Sequence, residues 1–204
     1  MNINKMLSKK PLVSPVGTAY WAKVNNAYDN YNDKPNYQIS VHFDAENEAK
    51  VKKMCRDFIE QAKKLPEFEG KRWRNEPYIP CHEDKDGNLL FKFKTSAFGK
   101  DREGKEYRKY IPVFVAIGDT KTCKKLGNDK AIGNGSEVKL HFTPGVYWSS
   151  SNSNGVNLYL TDIMVTKLVE FGGATDDPSD FGYTLVDDDA EPMDESFSDE
   201  EVPI

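Results

Sequence analysis

A mainly β fold, closed as a small barrel and carrying one long helix, is what the sequence predicts. Three observations carry that reading. One apolar stripe repeats at three- and four-residue steps between residues 44 and 65. Most of the remaining chain alternates apolar and polar residues with period two. The chain's charge also divides sharply near residue 173. A helix gathers apolar side chains on one face every 3.6 residues, whereas a strand sends alternate side chains to opposite faces.

The strands come first in chain order. "GTAYWAKV" (17–24) and "NYQISVHF" (36–43) are the first two, the latter placing Tyr37, Ile39, Val41 and Phe43 on one side. Asp44 then offers an N-cap, and Val51, Met54, Cys55, Phe58, Ile59, Ala62 and Leu65 form the stripe that ends at Pro66. A short polar side chain at the N-cap accepts an orphan N–H, and proline cannot continue a helix. "LLFKFKTSAF" puts Phe91 and Phe93 inward, which would leave Lys92, Lys94 and Phe98 on the outer face. "EYRKYIPVFVAIG" (106–118), "SEVKLHF" (136–142) and "GVNLYLTDIMVTKLVEF" (155–171) complete a set of five or six strands. Two polar stretches, 118–135 and "PGVYWSSSNSNG" at 144–155, read as long linkers.

The 204 residues suit one domain with extensions rather than two. Over the whole chain 28 basic and 33 acidic residues give −5, but the average conceals a split. Residues 174–204 hold 12 acidic residues and no Lys, Arg or His, so residues 1–173 carry +7. A like-charged run with Pro178, Pro192 and Pro203 buries too little apolar surface to offset its ordering entropy. The expected organisation is therefore a folded domain over 1–173 and a disordered acidic tail over 174–204.

Cys55, Cys81 and Cys123 are widely spaced and form no C-x-x-C pair, so neither a disulfide framework nor a zinc ribbon is expected, and a reducing cytosol fits. No long apolar segment indicates a signal peptide or a membrane span. Among enzyme signatures, "HEDKDGN" (82–88) places His82 and Phe93 where a calcium loop needs carboxylates, so it reads as a hairpin turn. His42 and His141 lie in strand patterns and read as structural. No catalytic residue, metal site or cofactor is expected.

What remains is a pairing of basic and aromatic residues. "KRWRNEPY" (71–78) interleaves Lys71, Arg72 and Arg74 with Trp73 and Tyr78, and residues 91–110 hold seven basic residues against three acidic ones, including Lys92, Lys94, Arg108 and Lys109. Cationic side chains neutralise phosphates and exposed rings stack on bases whatever their identity, which is what a single-stranded nucleic acid needs. Tyr147 and Trp148 open a Ser/Asn/Gly stretch; as neighbours in the chain they point opposite ways, so one is expected to stack.

"SPVGTAYWAKV", "NEPYIPCHEDKDGNLLFKFKTSAF", "EVKLHFTPGVYW" and "VNLYLTDIMVTKLVEFGGATDD", followed by the acidic run, occur in the order seen in single-stranded-DNA-binding proteins of tailed bacteriophages. The sequence resembles that family from about Ser14 to the end. The resemblance implies an OB-fold barrel of five to six strands, a sequence-tolerant groove for single-stranded DNA, and roles in DNA replication, recombination and repair in the cytoplasm of the infected bacterium. It implies no catalysis. It places the basic stretch on Lys71, Arg72 and Arg74, and the aromatic pair on Tyr147 and Trp148. It further implies that the acidic tail contacts the phage DNA polymerase and primase-helicase, and it leaves a homodimer open. Relatives end on an aromatic residue, whereas this chain ends Asp199, Glu200, Glu201, Val202, Pro203, Ile204, similar to the ending of bacterial single-strand-binding proteins. Two other classes compete: a protein-interaction adaptor that does not bind DNA, and a metal-dependent nuclease. The nuclease would need clustered carboxylates in the folded body, and the dense ones lie in the tail.

Overall fold

Residues 2–25, 35–118, 121–127 and 130–170 are described by the computed structural model. The expected acidic tail, with its six terminal partner-binding residues, lies outside the described residues. In chain order the elements are β1 (Ile3–Met6), β2 (Leu12–Val13), β3 (Gly17–Lys23), β4 (Asn36–His42), α1 (Ala45–Lys63), β5 (Cys81–Glu83), β6 (Leu89–Ser96), β7 (Phe98–Lys100), β8 (Glu106–Arg108), β9 (Val113–Ala116), β10 (Cys123–Lys125), β11 (Glu137–Ser150) and β12 (Ser153–Lys167).

Five of these strands close a ring. β3 pairs with β4, β4 with β6, β6 with β12, β12 with β11, and β11 returns to β3. All of these pairings are antiparallel except β6 with β12. Closure leaves no unpaired edge in the ring itself. The other strands extend it: β1 and β2 lie along β11, β5 along β6, and β9 with β10 beyond β12.

The alternation read in the sequence is what fills the interior. Tyr37, Ile39 and Val41 of β4, Phe91 and Phe93 of β6, Val138, Leu140 and Phe142 of β11, and Val156, Leu158 and Leu160 of β12 are all buried. A bulge between His141 and Phe142 shifts the register of the β11–β12 pair. It explains why the buried set on β12 then moves to odd numbers, Ile163 and Val165.

α1 packs against β11 and β12 through Val51, Cys55, Ile59 and Ala62, with Met54 and Phe58 partly buried beside them. Asp44 caps it, its Oδ1 accepting the Asn47 N–H at 2.8 Å. The "HEDKDGN" segment is a hairpin turn between β5 and β6, in which Asp84 Oδ1 accepts the N–H groups of Asp86 and Asn88 and Gly87 adopts φ +82°.

Four expectations need correction. Residues 118–135 are not all linker, since β10 lies within them and pairs with β9. Residues 144–155 are not a loop: β11 runs through Pro144 to Ser150 and β12 begins at Ser153. The polar Ser/Asn composition hid a strand whose backbone is paired on both sides, by β1 and β12. Phe98 does not share a strand face with Lys92 and Lys94, because the chain turns at buried Ala97 and Phe98 enters a separate two-stranded sheet, paired with Arg108. Residues 106–118 form two strands rather than one, divided where Pro112 cannot donate a ladder hydrogen bond.

The cysteines test this packing. Cys55 is buried on the inner face of α1, and that burial, with a smaller contribution from Cys81, pushes its thiol pKa up to about 12, while Cys123 is exposed. A thiol so raised stays protonated at pH 8 and is not nucleophilic. Titration of native protein with a disulfide reagent at pH 8 should label Cys123 first and half-buried Cys81 later, with Cys55 reacting only after denaturant is added. Rapid labelling of Cys55 in the native protein would contradict the packing of α1.

Candidate nucleic-acid interface

The fold brings together two stretches that are seventy residues apart in sequence. Residues 71–78 run beside the tip of the β11–β12 hairpin. The indole N–H of Trp148 donates to the Arg72 carbonyl at 3.0 Å, and the Lys71 ammonium sits 5.0 Å from the centre of the Trp148 ring. The Arg74 N–H donates to Asn154 Oδ1 at 3.2 Å. Tyr78 and Gly155 form a bridge, with the Tyr78 N–H donating to the Asn154 carbonyl and the Val156 N–H donating to the Tyr78 carbonyl, each at 2.9 Å. This docking is close enough to require a glycine: a Cβ on Gly155 would lie 2.7 Å from the Tyr78 backbone nitrogen.

Strand parity then separates the aromatic pair. Val146 is buried and Trp148 shares its side of β11, packing partly buried against the core, so Tyr147 points outward. Register carries its neighbours to the same face. Tyr147 lies opposite Gly155, Thr143 opposite Tyr159, and Tyr159 beside Lys94 of β6. The Tyr159 ring covers Gly145, where a Cβ would come 2.5 Å from Cε2. Burial, with Tyr78 and Tyr159 as lesser causes and Arg74 opposing, raises the Tyr147 hydroxyl above the ordinary tyrosine range, which marks these groups as near neighbours. Continuing across the barrel, Lys94 lies beside Gln38, and Lys92 beside Ser40. The outer face of β11, β12, β6 and β4 is thus a strip of tyrosines leading to exposed lysine.

The expected site residues divide accordingly. Tyr147 belongs to this strip and Arg74, Lys92 and Lys94 border it, while Lys71 and Arg72 lie at Trp148; Arg72, Arg74 and Lys94 are exposed. Trp148 lies against Arg72 rather than outward. Trp73 is half-buried on Phe68, with ring centroids 5.5 Å apart and Lys63 lying 5.8 Å from its ring centre. Phe98 packs against the core. The Arg108 guanidinium donates to Tyr37 Oη at 2.9 Å and to the Asn25 carbonyl, while the Lys109 carbonyl accepts from Tyr37 Oη at 3.0 Å. These contacts hold the β7–β8 hairpin to the barrel.

Sequence reasoning did not place Tyr159 or Asn154, and it did not include Tyr78 in the site. Tyr159 looked like one more residue of an alternating strand, and only the pairing partner Lys94 reveals its setting.

Residues 17–168 match the family described as single-stranded DNA-binding protein, bacteriophage T7. The chain belongs to this family. Two curated relatives are single-stranded DNA-binding proteins of Escherichia phage T7, 35% identical over 103 residues, and of Enterobacteria phage T3, 34% identical over 112 residues. These matches cover 50% and 52% of this chain but 43% and 47% of the relatives, so the chain spans about half the length of the curated relatives it matches. The fold is shared with gp2.5, a single-stranded DNA binding protein encoded by bacteriophage T7. That match has a TM-score of 0.59 and 22% identity, covering 79% of this chain and 93% of that one. It is also shared with the C-terminally truncated single-stranded DNA-binding protein of bacteriophage Enc34, with a TM-score of 0.54 and 14% identity over 82% and 91% of the two chains.

The hairpin docking carries a prediction. Gly155→Ala drives a methyl group into the Tyr78 backbone, which cannot yield as a flexible side chain would. It should cost about 1 to 3 kcal/mol in urea unfolding and change the fluorescence of Trp148 beside it. An unchanged unfolding midpoint would mean residues 71–78 are not held against the hairpin as described.

Proposed function

We propose that the chain is a sequence-tolerant single-stranded-DNA-binding protein acting in phage DNA replication, recombination and repair in the cytoplasm of the infected bacterium. The observation that carries this reading is the outward strip Tyr78–Tyr147–Tyr159, bordered by Arg74 on one side and Lys94 on the other. Rings stack on any base, and cations track the phosphates between them, so such a strip discriminates against duplex, whose base faces are hidden. No hydrogen-bonding reader of base edges is required. The family relation supports the reading, and we interpret the five-stranded ring as an OB-fold barrel, a frame on which single strands lie across the strand face.

The charge split supports a second part of the proposal. A run of −12 tethered to a body of +7 competes for the same cationic surface that DNA uses. Tethering makes that competition intramolecular, so weak attraction suffices. DNA would displace the tail, and the released tail would then recruit replication proteins, namely the phage DNA polymerase and primase-helicase.

Two measurements test these parts. In titrations with labelled oligo-dT across a salt series, Arg72→Ala or Arg74→Ala should lower the salt slope by about 0.7 per lost phosphate contact. Tyr147→Ala should weaken binding by about 1 to 3 kcal/mol with the slope nearly unchanged. Wild-type protein that does not bind oligo-dT would favour the adaptor reading instead, and equal affinity for duplex would overturn the stacking argument. Removal of residues 174–204 should raise oligo-dT affinity at low salt, and the gain should fade towards about 1 M, where the Debye length is near 3 Å. Equal low-salt affinities of the two forms would leave the tail no shielding role.

A further inference from the structure

Trp21 is one of two non-glycine residues with positive φ among the described residues. It lies within β3, yet its backbone has φ +48°, a conformation that bulky L-residues avoid and that persists only where the surroundings impose it. The surroundings here are specific. Asn134 Oδ1 accepts the Trp21 N–H at 2.8 Å, and the flanking residue Ala19 both donates to the Ser136 carbonyl at 2.7 Å and accepts from the Gly135 N–H at 3.0 Å. The β3–β4 register breaks between Tyr20 and Lys23.

The effect of this irregularity is to turn an indole out of the barrel. Ala19 faces inward and is fully buried, so simple alternation would send Tyr20 outward and residue 21 inward. Instead Trp21 is 49% exposed. It lies 6.1 Å from the Tyr20 ring and 6.2 Å from His82, nearly parallel to the latter at 20°. A tryptophan kept for packing gains its stability from burial, and this one gives up half of it in a disfavoured backbone state. Strain of that kind is retained at sites that bind.

Its position shows what would bind. Register places Tyr20 beside Ser40 and Ser40 beside Lys92, while Lys23 lies beside Gln38 and Gln38 beside Lys94. Lys94 in turn adjoins Tyr159. The Trp21 ring lies on His82, which sits beside Leu90 of β6 two residues before Lys92, so along the outer face Lys92 and Lys94 stand between Trp21 and Tyr159. Two aromatic groups with two lysines between them match a polyanion whose flat bases alternate with phosphates.

We infer that Trp21 is a second base-stacking station, at which the single strand crossing the tyrosine strip continues past Lys94 and Lys92 towards β3. The inference rests on the single-strand reading and extends it by naming the path.

Trp21→Gly gives the sharpest test, because glycine adopts φ +48° without strain while removing the ring. Its thermal midpoint should stay level or rise. Its affinity for oligo-dT should fall by about 5- to 150-fold with an unchanged salt slope, the range expected for one stacked base. Photo-cross-linking of wild-type protein to oligonucleotides carrying 5-bromodeoxyuridine should give an adduct on Trp21. If the glycine variant melts markedly lower, Trp21→Leu replaces it, keeping apolar bulk without a π face; stacking requires weak binding and a structural role requires wild-type binding. Wild-type protein that binds oligo-dT, with variants that bind equally well and no adduct on Trp21, would overturn the inference and leave the single-strand reading standing. Wild-type protein that fails to bind would overturn both.

Discussion

The candidate face depends on one buried amide. Asn154 is fully buried at the start of β12, and its side chain serves two pieces of chain at once. Nδ2 donates to the carbonyls of Ser150 and Ser151 at 2.9 and 3.1 Å, closing the hairpin turn, while Oδ1 accepts the Arg74 N–H. Its backbone carbonyl accepts the Tyr78 N–H. A buried polar group left unpaired is costly, so the turn and residues 74–78 hold each other in place. Without that junction Arg72, Arg74 and Tyr78 would belong to an irregular segment beside the barrel. With it they stand at the edge of the face that carries Tyr147.

The length of β12 gives that face its extent. Over Ser153–Lys167 the strand pairs along one edge with β11 and along the other first with β6 and then, past the bulge, with β9. Its outward side chain Tyr159 is consequently set between Gly145 on β11 and Lys94 on β6. The parallel β6–β12 pairing is the decisive one, because it joins the lysines of one hairpin to the tyrosines of another.

How much of this was legible follows from what each signal encodes. Periodicity reports which face of an element is buried, so the α1 stripe, the inward Phe91 and Phe93 and the outward Lys92 and Lys94 were all readable locally. Pairing is a non-local property. No local pattern joins Tyr159 to Lys94 or Arg74 to Asn154, and composition misled at 144–155, where serine, asparagine and glycine conform to a strand because neighbours on both sides pair with it. The same limit applies to Phe98: alternation projects a strand onward, and nothing in "KTSAF" announces that Ala97 is buried and ends it.

The rings show a division of labour that sequence neighbourhood cannot predict. Trp73 lies among arginines and a lysine in sequence and Trp148 between Tyr147 and a run of serines, yet the fold uses both as fasteners: one packs on Phe68, the other lends its N–H to the Arg72 carbonyl. A large apolar ring with a single donor suits such a junction, since it buries area and satisfies one backbone carbonyl at the same time. Lys63 and Lys71, stationed over these two rings, are correspondingly committed to the frame. The outward positions instead carry tyrosines, whose hydroxyls tolerate water when no ligand is present; Tyr159 Oη accepts from Asn4 Nδ2 at 2.9 Å. Around the hairpin junction, therefore, the tryptophans serve construction and the tyrosines face outward.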